Sequence, residues 1–208
     1  MKKLLTIIAL MAATLTAQAQ EHEEGDFTIQ PRVGLSISNL SDGEKSKVNF
    51  AYGVEFERFF TDRFSLAAGL LFTNQGTKYK DIYDENNQKN DLKMNIYYAN
   101  IPITANYYVL PGLALKAGLQ PAFRVKAKAT MGSTSYDYDR MMDLWKSWFN
   151  EEPEDMTKFD LAIPVGLSYE FHRVTLDARY NFGLLKVIKN ESVRNKVFVI
   201  TLGYKFGN

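Results

Sequence analysis

Arg32, Glu55, Glu57, Lys116, Arg124, Lys126, Asp160, Glu170, Asp177, Arg179 and Lys205 are the residues whose types and spacing most invite chemistry. Each stands in a run where every second residue is apolar or aromatic, and each falls on the other parity. Charges of both signs projecting to one side of such runs have two uses. They can line an ion or solute path, or they can pair and fill a closed space. A buried charge without a partner is strongly penalised, so a paired, structural network is the preferred reading and a narrow small-solute channel the alternative.

A second group lies in Asp139 to Phe149, where Met141, Leu144, Trp145, Trp148 and Phe149 recur at helical spacing. Asp137 or Asp139 is placed to cap the start of that helix, and Glu151, Glu152, Glu154 and Asp155 follow it. Such a segment is either a partner-binding or lid helix, or an amphipathic turn resting on a rim or a lipid interface. Catalysis is not expected. The histidines are His22, near the N-terminus, and His172, in a tight turn, and neither joins a Ser–His–acid set. Asp81/Asp84/Glu85 and Asp137/Asp139/Asp143 do not match a cation-loop spacing. No catalytic, metal or cofactor residues are therefore assigned.

The elements that carry these residues are long strands. From Phe159 the apolar set is Phe159, Leu161, Ile163, Val165, Leu167, Tyr169, Phe171, and after His172-Arg173 it resumes as Val174, Leu176, Ala178, Tyr180, Phe182, Leu184. Period two means β-strand, and a two-residue turn sets the apolar rows on one face and Glu170, Asp177 and Arg179 on the other. The same alternation predicts strands over 27–38, 48–60, 64–79, 94–109, 113–129 and 196–206. The connections alternate strictly between long polar loops and tight turns at 61–63, 111–112 and 172–173. An apolar outside, a polar inside and alternating connections predict an all-β, eight-stranded antiparallel up-and-down transmembrane β-barrel, with a short helix in the third long loop. An interior of that size holds only its own side chains. Phe60, Phe64, Tyr107, Phe171, Tyr204 and Phe206 read as the aromatic girdle of the turn end. Pro31, Pro102, Pro121 and Pro164 fall inside strands, where bulges or unpaired carbonyls are expected.

Met1-Lys2-Lys3, an apolar run to Leu15 and Ala17-Gln18-Ala19 read as a signal peptide over 1–19, followed by a short disordered periplasmic lead over 20–26 and the barrel over 27–208. Loss of Lys2 and Lys3 takes the formal charge from +1 to −1, which gives no case for nucleic acid. The chain has no cysteine and hence no lipid-attachment site or disulfide framework. Export, strands and aromatic content place it in a bacterial outer membrane. Its expected partners are outer-membrane lipid and another envelope or extracellular protein met through Asp139–Phe149, with the chain itself a monomer. A secreted soluble ligand-binding barrel is the rival class; it needs a polar outside and an apolar lumen.

Several segments resemble the PorT-like outer-membrane β-barrel family of Bacteroidota (outer membrane protein beta-barrel domain). They are Phe64-Ser65-Leu66-Ala67-Ala68-Gly69-Leu70-Leu71-Phe72 on to Gly76, Asn100-Ile101-Pro102-Ile103, Lys116-Ala117-Gly118-Leu119-Gln120-Pro121, Leu176 to Leu184, and Leu202-Gly203-Tyr204-Lys205-Phe206. The resemblance implies the barrel fold and accommodates an Ile-Pro-aliphatic strand. The namesake of that family takes part in protein secretion, so an envelope or secretion association is implied; no functional residue is carried over.

These loops fix a sidedness. With long loops outside, an epitope at Asn86 or Ser133 should be stained on intact cells and one after Pro111 only after permeabilisation; staining of all three only after permeabilisation would reverse the topology.

Overall fold

The computed structural model describes residues 22–40, 46–76, 78–83, 89–131, 134–149, 157–185 and 195–207. The expected signal peptide, its cleavage after Ala19, Asp84, Glu85 and the acidic residues 151–155 lie outside the described residues.

The strands are β1 (Phe27–Leu40), β2 (Lys47–Phe59), β3 (Phe64–Gln75), β4 (Lys78–Tyr83), β5 (Lys89–Asn100), β6 (Ile103–Leu110), β7 (Leu113–Met131), β8 (Thr134–Asp137), β9 (Phe159–Phe171), β10 (Val174–Gly183), β11 (Asn195–Tyr204) and β12 (Phe206–Gly207), with helix α1 (Tyr138–Phe149). β4 continues β3, β6 continues β5, β12 continues β11, and the short β8 pairs β7 on the same side as β9, which leaves eight antiparallel staves. β1 is bonded to β2 on one side and to β11 on the other, so the sheet closes. Closure satisfies every stave's backbone laterally, as a sheet in hydrocarbon must.

The prolines account for most of the ladder breaks. Pro102 separates β5 from β6; there the Gly69 N–H donates to the Pro102 carbonyl (3.0 Å) and the Ile101 N–H to the Pro121 carbonyl (2.8 Å). Pro31 keeps Val54 as its partner on β2, while the ladder towards β11 and β12 is interrupted between Arg32–Gly203 and Ile29–Phe206. Pro164 stays opposite Asn181, but the β7–β9 ladder skips from Ala117–Val165 to Gln120–Ala162. Inward glycines let the staves approach closely on the small radius. A Cβ on Gly118 would stand 1.9 Å from the Ile103 carbonyl oxygen, and one on Gly34 the same distance from that of Ile200.

The surface inverts that of a soluble domain. Val33, Phe50, Tyr52, Leu115, Leu119, Leu167 and Leu202 are exposed, while Gln30, Glu55, Ser65, Asn106 and Thr201 are buried. At the tight-turn end Phe60 packs against Phe64 (ring centroids 6.2 Å), Tyr204 against Phe206 (4.8 Å), and Phe64 faces Tyr107 across the ladder. Arg58, in the outward row, lies over the Phe60 ring at 5.8 Å, at the rim, where a charge is tolerated.

Leu167 faces outward, opposite Ala178, and is 50% exposed. Leu167→Lys should lower stability by about 2–4 kcal/mol, as cations do near the bilayer midplane, whereas Leu167→Phe should stay within about 0.5 kcal/mol. Urea unfolding in lipid vesicles, read by gel mobility of unheated samples, checks this; equal midpoints would remove Leu167 from the lipid.

Candidate functional site: the lumen network and the outer helix

Alternation along β2, β7, β9 and β10 brings the inward charges to two levels. In the middle of the lumen Glu55 and Asp177 are enclosed by Arg32, Lys116 and Arg179. Arg32 reaches Glu55 at 2.8 Å and Asp177 at 3.3 Å; Lys116 reaches them at 2.8 and 3.0 Å. Arg179 holds Asp177 at 2.6 Å and also pairs with Glu55. All these side chains are buried. Nearer the tight-turn end Lys205 joins Glu57 (3.1 Å) and Glu170 (2.5 Å), and Glu57 also accepts from Ser65, Asn106, Tyr108 and Gln30. The carboxylates Glu55, Glu57, Glu170 and Asp177 are thus matched in number by Arg32, Lys116, Arg179 and Lys205. Between Arg32, Glu55, Gln120, Asp177, Arg179 and Thr201 the free space is about 10 Å³, on the order of one water.

His22 joins the turn-end network, and sequence reasoning missed it. The described part of the lead, 22–26, is docked rather than disordered: the Gly25 N–H donates to the Phe59 carbonyl (3.0 Å) and the Phe59 N–H to that of Asp26 (2.9 Å). His22 is 5% exposed and stacks on Phe59 with ring centroids 3.9 Å apart. Its Nε2 lies 3.1 Å from Glu170 Oε2 and 3.4 Å from Lys205 Nζ. The available signal was Phe59, an aromatic on the inward parity after Glu55 and Glu57. Beside His22 lies a cavity of about 300 Å³ lined by Arg63, Tyr108, Leu110 and Pro111 among others. Among the described residues no group of His, Asp or Glu is gathered as a metal site.

Towards the long-loop end Asp160 sits in the lumen and accepts from the Asn195 amide and the Leu161 N–H, both at 2.8 Å. Arg124 points inward and its Nη1 donates to Asp139 Oδ1 at 2.7 Å. Lys126 departs from the expected lumen set: its side chain is 48% exposed and pairs with Asp137 at 3.5 Å. The reason is a bulge. Tyr98 faces Arg124 and Tyr97 faces Lys126, so Val125 is an extra residue in β7 and the parity inverts beyond it. Ala127, rather than Lys126, takes the buried position.

α1 is fastened at its start. The Asp137 carboxylate accepts from the Arg140 N–H at 3.4 Å, the N-cap geometry. That bond, and then Lys126, hold the Asp137 carboxyl below its ordinary value. The cap is therefore present at neutral pH and is lost only as pH falls below the usual carboxylate range. Tyr138 packs against the inward cluster of Ile96, Tyr98, Ala122 and Ala127, and Asp139 meets Arg124, so the first turn is held to the inner side of β7. Met141, Leu144 and Trp148 remain exposed, Trp148 at 76%. Trp145 and Phe149 belong to the same helix.

A closed eight-stave barrel, apolar outside and ion-paired within, defines an integral outer-membrane protein. The chain belongs to the family described as outer membrane protein beta-barrel domain, whose model matches residues 17–189. Among solved structures it is similar to Ail, the attachment invasion locus protein of Yersinia pestis, at 15% identity, covering 88% of this chain and 99% of that one with a TM-score of 0.50. It is similar also to Neisserial surface protein A, at 16% identity, covering 88% and 100% with a TM-score of 0.50. At these identities the likeness is one of fold. No curated protein matches the chain.

Glu55 touches Arg32, Lys116 and Arg179 at once. Glu55→Gln should lower stability by about 3–5 kcal/mol, because uncompensated cations stay buried. Glu55→Gln with Arg179→Gln restores the balance of charge and should lose less than the two single variants summed. Urea titration of all three in detergent micelles measures the coupling, and strict additivity would mean that the ions act independently.

Proposed function

We propose that this protein is a sealed outer-membrane scaffold with a structural or interaction role, presenting α1 outside the cell, and not a pore or an enzyme. The observation that carries the reading is the filled lumen: Arg32, Glu55, Lys116, Asp177 and Arg179 occupy its middle, and about 10 Å³ is left beside Arg32, Glu55, Asp177 and Arg179. A conducting barrel needs a continuous aqueous path, and a soluble carrier needs an apolar cavity; the exposed apolar belt and the charged interior support neither. His22 at one mouth and Tyr138 at the other extend the seal.

The interaction role rests on Met141, Leu144 and Trp148, exposed on a helix whose first turn is held by Asp137 and Arg124. Large aromatics and Met on a rigid base are what binding hot spots tend to contain. The partner is another envelope or extracellular protein, and the barrel itself is a monomer. The PorT-like resemblance, with its Ile101-Pro102-Ile103 strand and Leu202–Phe206 ending, supports a secretion or envelope association. The mature chain begins after Ala19, and its long loops face outward, in keeping with the connection lengths.

Deleting 134–153 should leave folding, membrane insertion and heat-modifiable gel mobility intact, because the staves satisfy one another without it. Wild-type protein should give no reproducible conductance in planar bilayers. A deletion variant that fails to assemble would make α1 a structural lid, and steady wild-type conductance would overturn the sealed lumen.

A further inference from the structure

The bulge at Val125 has an effect on the outside of the barrel. By inverting the parity of β7 it places Ala127 in the lumen and turns Lys126 and Lys128 to the outer face. In the ladder Lys126 faces Tyr97, Lys128 faces Asn95 and Thr130 faces Lys93, so the three lysines share one face of the β5–β7 pair. Lys93 and Lys126 are exposed. Directly below them the outward residues are apolar: Val125 is 63% exposed, and Phe123 packs against Phe159 with the rings tilted and centroids 5.4 Å apart. Asp137, opposite Lys128 and paired with Lys126, is the acid of this patch, so positive charge predominates. Lysines immediately above an apolar and aromatic belt stand where lipid headgroups lie, and ammonium groups there attract anionic headgroups.

We propose that Lys93, Lys126 and Lys128 form a docking surface for the phosphate groups of an outer-leaflet glycolipid of the lipid A type, its acyl chains lying on Val125, Phe123 and Phe159. The inference rests on the outward orientation of the long loops proposed above. The patch commits to phosphate because neighbouring ammonium groups favour the most concentrated anionic charge, about −1.5 to −2 on a phosphomonoester against a single charge on a carboxylate. It commits to lipid because the apolar belt is continuous with it.

The test is retention of lipid by purified, folded protein in phosphatidylcholine nanodiscs doped with bisphosphorylated lipid A, read by native mass spectrometry. Wild type should retain it. Lys93→Gln/Lys126→Gln/Lys128→Gln should bind it at least about tenfold more weakly, since one lysine near a headgroup surface is worth roughly fivefold. Dephosphorylated lipid A should be retained as poorly by wild type as lipid A is by the triple variant, and millimolar inorganic phosphate should not displace the lipid. Lys196→Gln, at the same end on the far side of the barrel, should behave as wild type. Equal retention by wild type and triple variant, equal retention of dephosphorylated lipid, or an equal loss in Lys196→Gln would overturn the proposal. If the triple variant lacks heat-modifiable mobility, Lys126→Gln alone, with its roughly fivefold loss, decides. Surface staining at Ser133 keeps the two readings apart. Stained cells with no lipid retention sink the lysine patch alone, whereas staining only after permeabilisation sinks the orientation and the outer-leaflet source with it.

Discussion

Burial of full charges in a space with room for about one water is the constraint on which the rest of this structure depends. Glu55 and Asp177 can stay ionised in the lumen only because Arg32, Lys116 and Arg179 converge on them from three staves. An ion pair of this kind gains little over an apolar filling, since desolvation offsets most of the attraction. What it supplies is discrimination. A slip of one residue in any of these staves would turn its charge into lipid and an apolar side chain into the lumen. The network therefore acts on register, and the exposed rows of Phe, Leu and Val reinforce the same choice from outside.

The backbone adapts around that network rather than through it. Pro31, Pro102 and Pro164 each stand where a ladder is interrupted, and the interrupted segments pass the lateral pairing on, as from β5 to β6 along β3. Closure is preserved because neighbouring carbonyls, those of Pro102 and Pro121 among them, find donors across the break. The bulge at Val125 does more: it ends the charged lumen at Arg124 and leaves Ala127 in a cluster with Ile96 and Tyr98, against which Tyr138 packs. One inserted residue separates the ion-paired interior from the apolar plug above it.

Segments outside the regular staves pack against inward residues at each end. At one end His22 lies on Phe59 between Glu170 and Lys205; at the other the first turn of α1 is fixed by Asp137 and by the Arg124–Asp139 pair. The side chains left open to contact are those exposed on α1 and in the belt that meets lipid.

Periodicity alone determined the staves, their number, the alternation of loops and turns, and, Lys126 excepted, which charges face inward, because the side-chain period of a strand is two and a membrane barrel makes the two faces opposite in kind. It also located the helix, from Met141, Leu144 and Trp148 at helical spacing. Three features were decided only in three dimensions. Lys126 left the lumen because a bulge is a property of two paired strands, and nothing in Arg124-Val125-Lys126 by itself marks an inserted residue. His22 entered the lumen because its contacts, Phe59, Tyr108, Glu170 and Lys205, come from four distant parts of the chain. Which carboxylate meets which cation was likewise settled by closure, since Glu55 and Arg179 lie on staves that are not neighbours and meet only across the completed barrel.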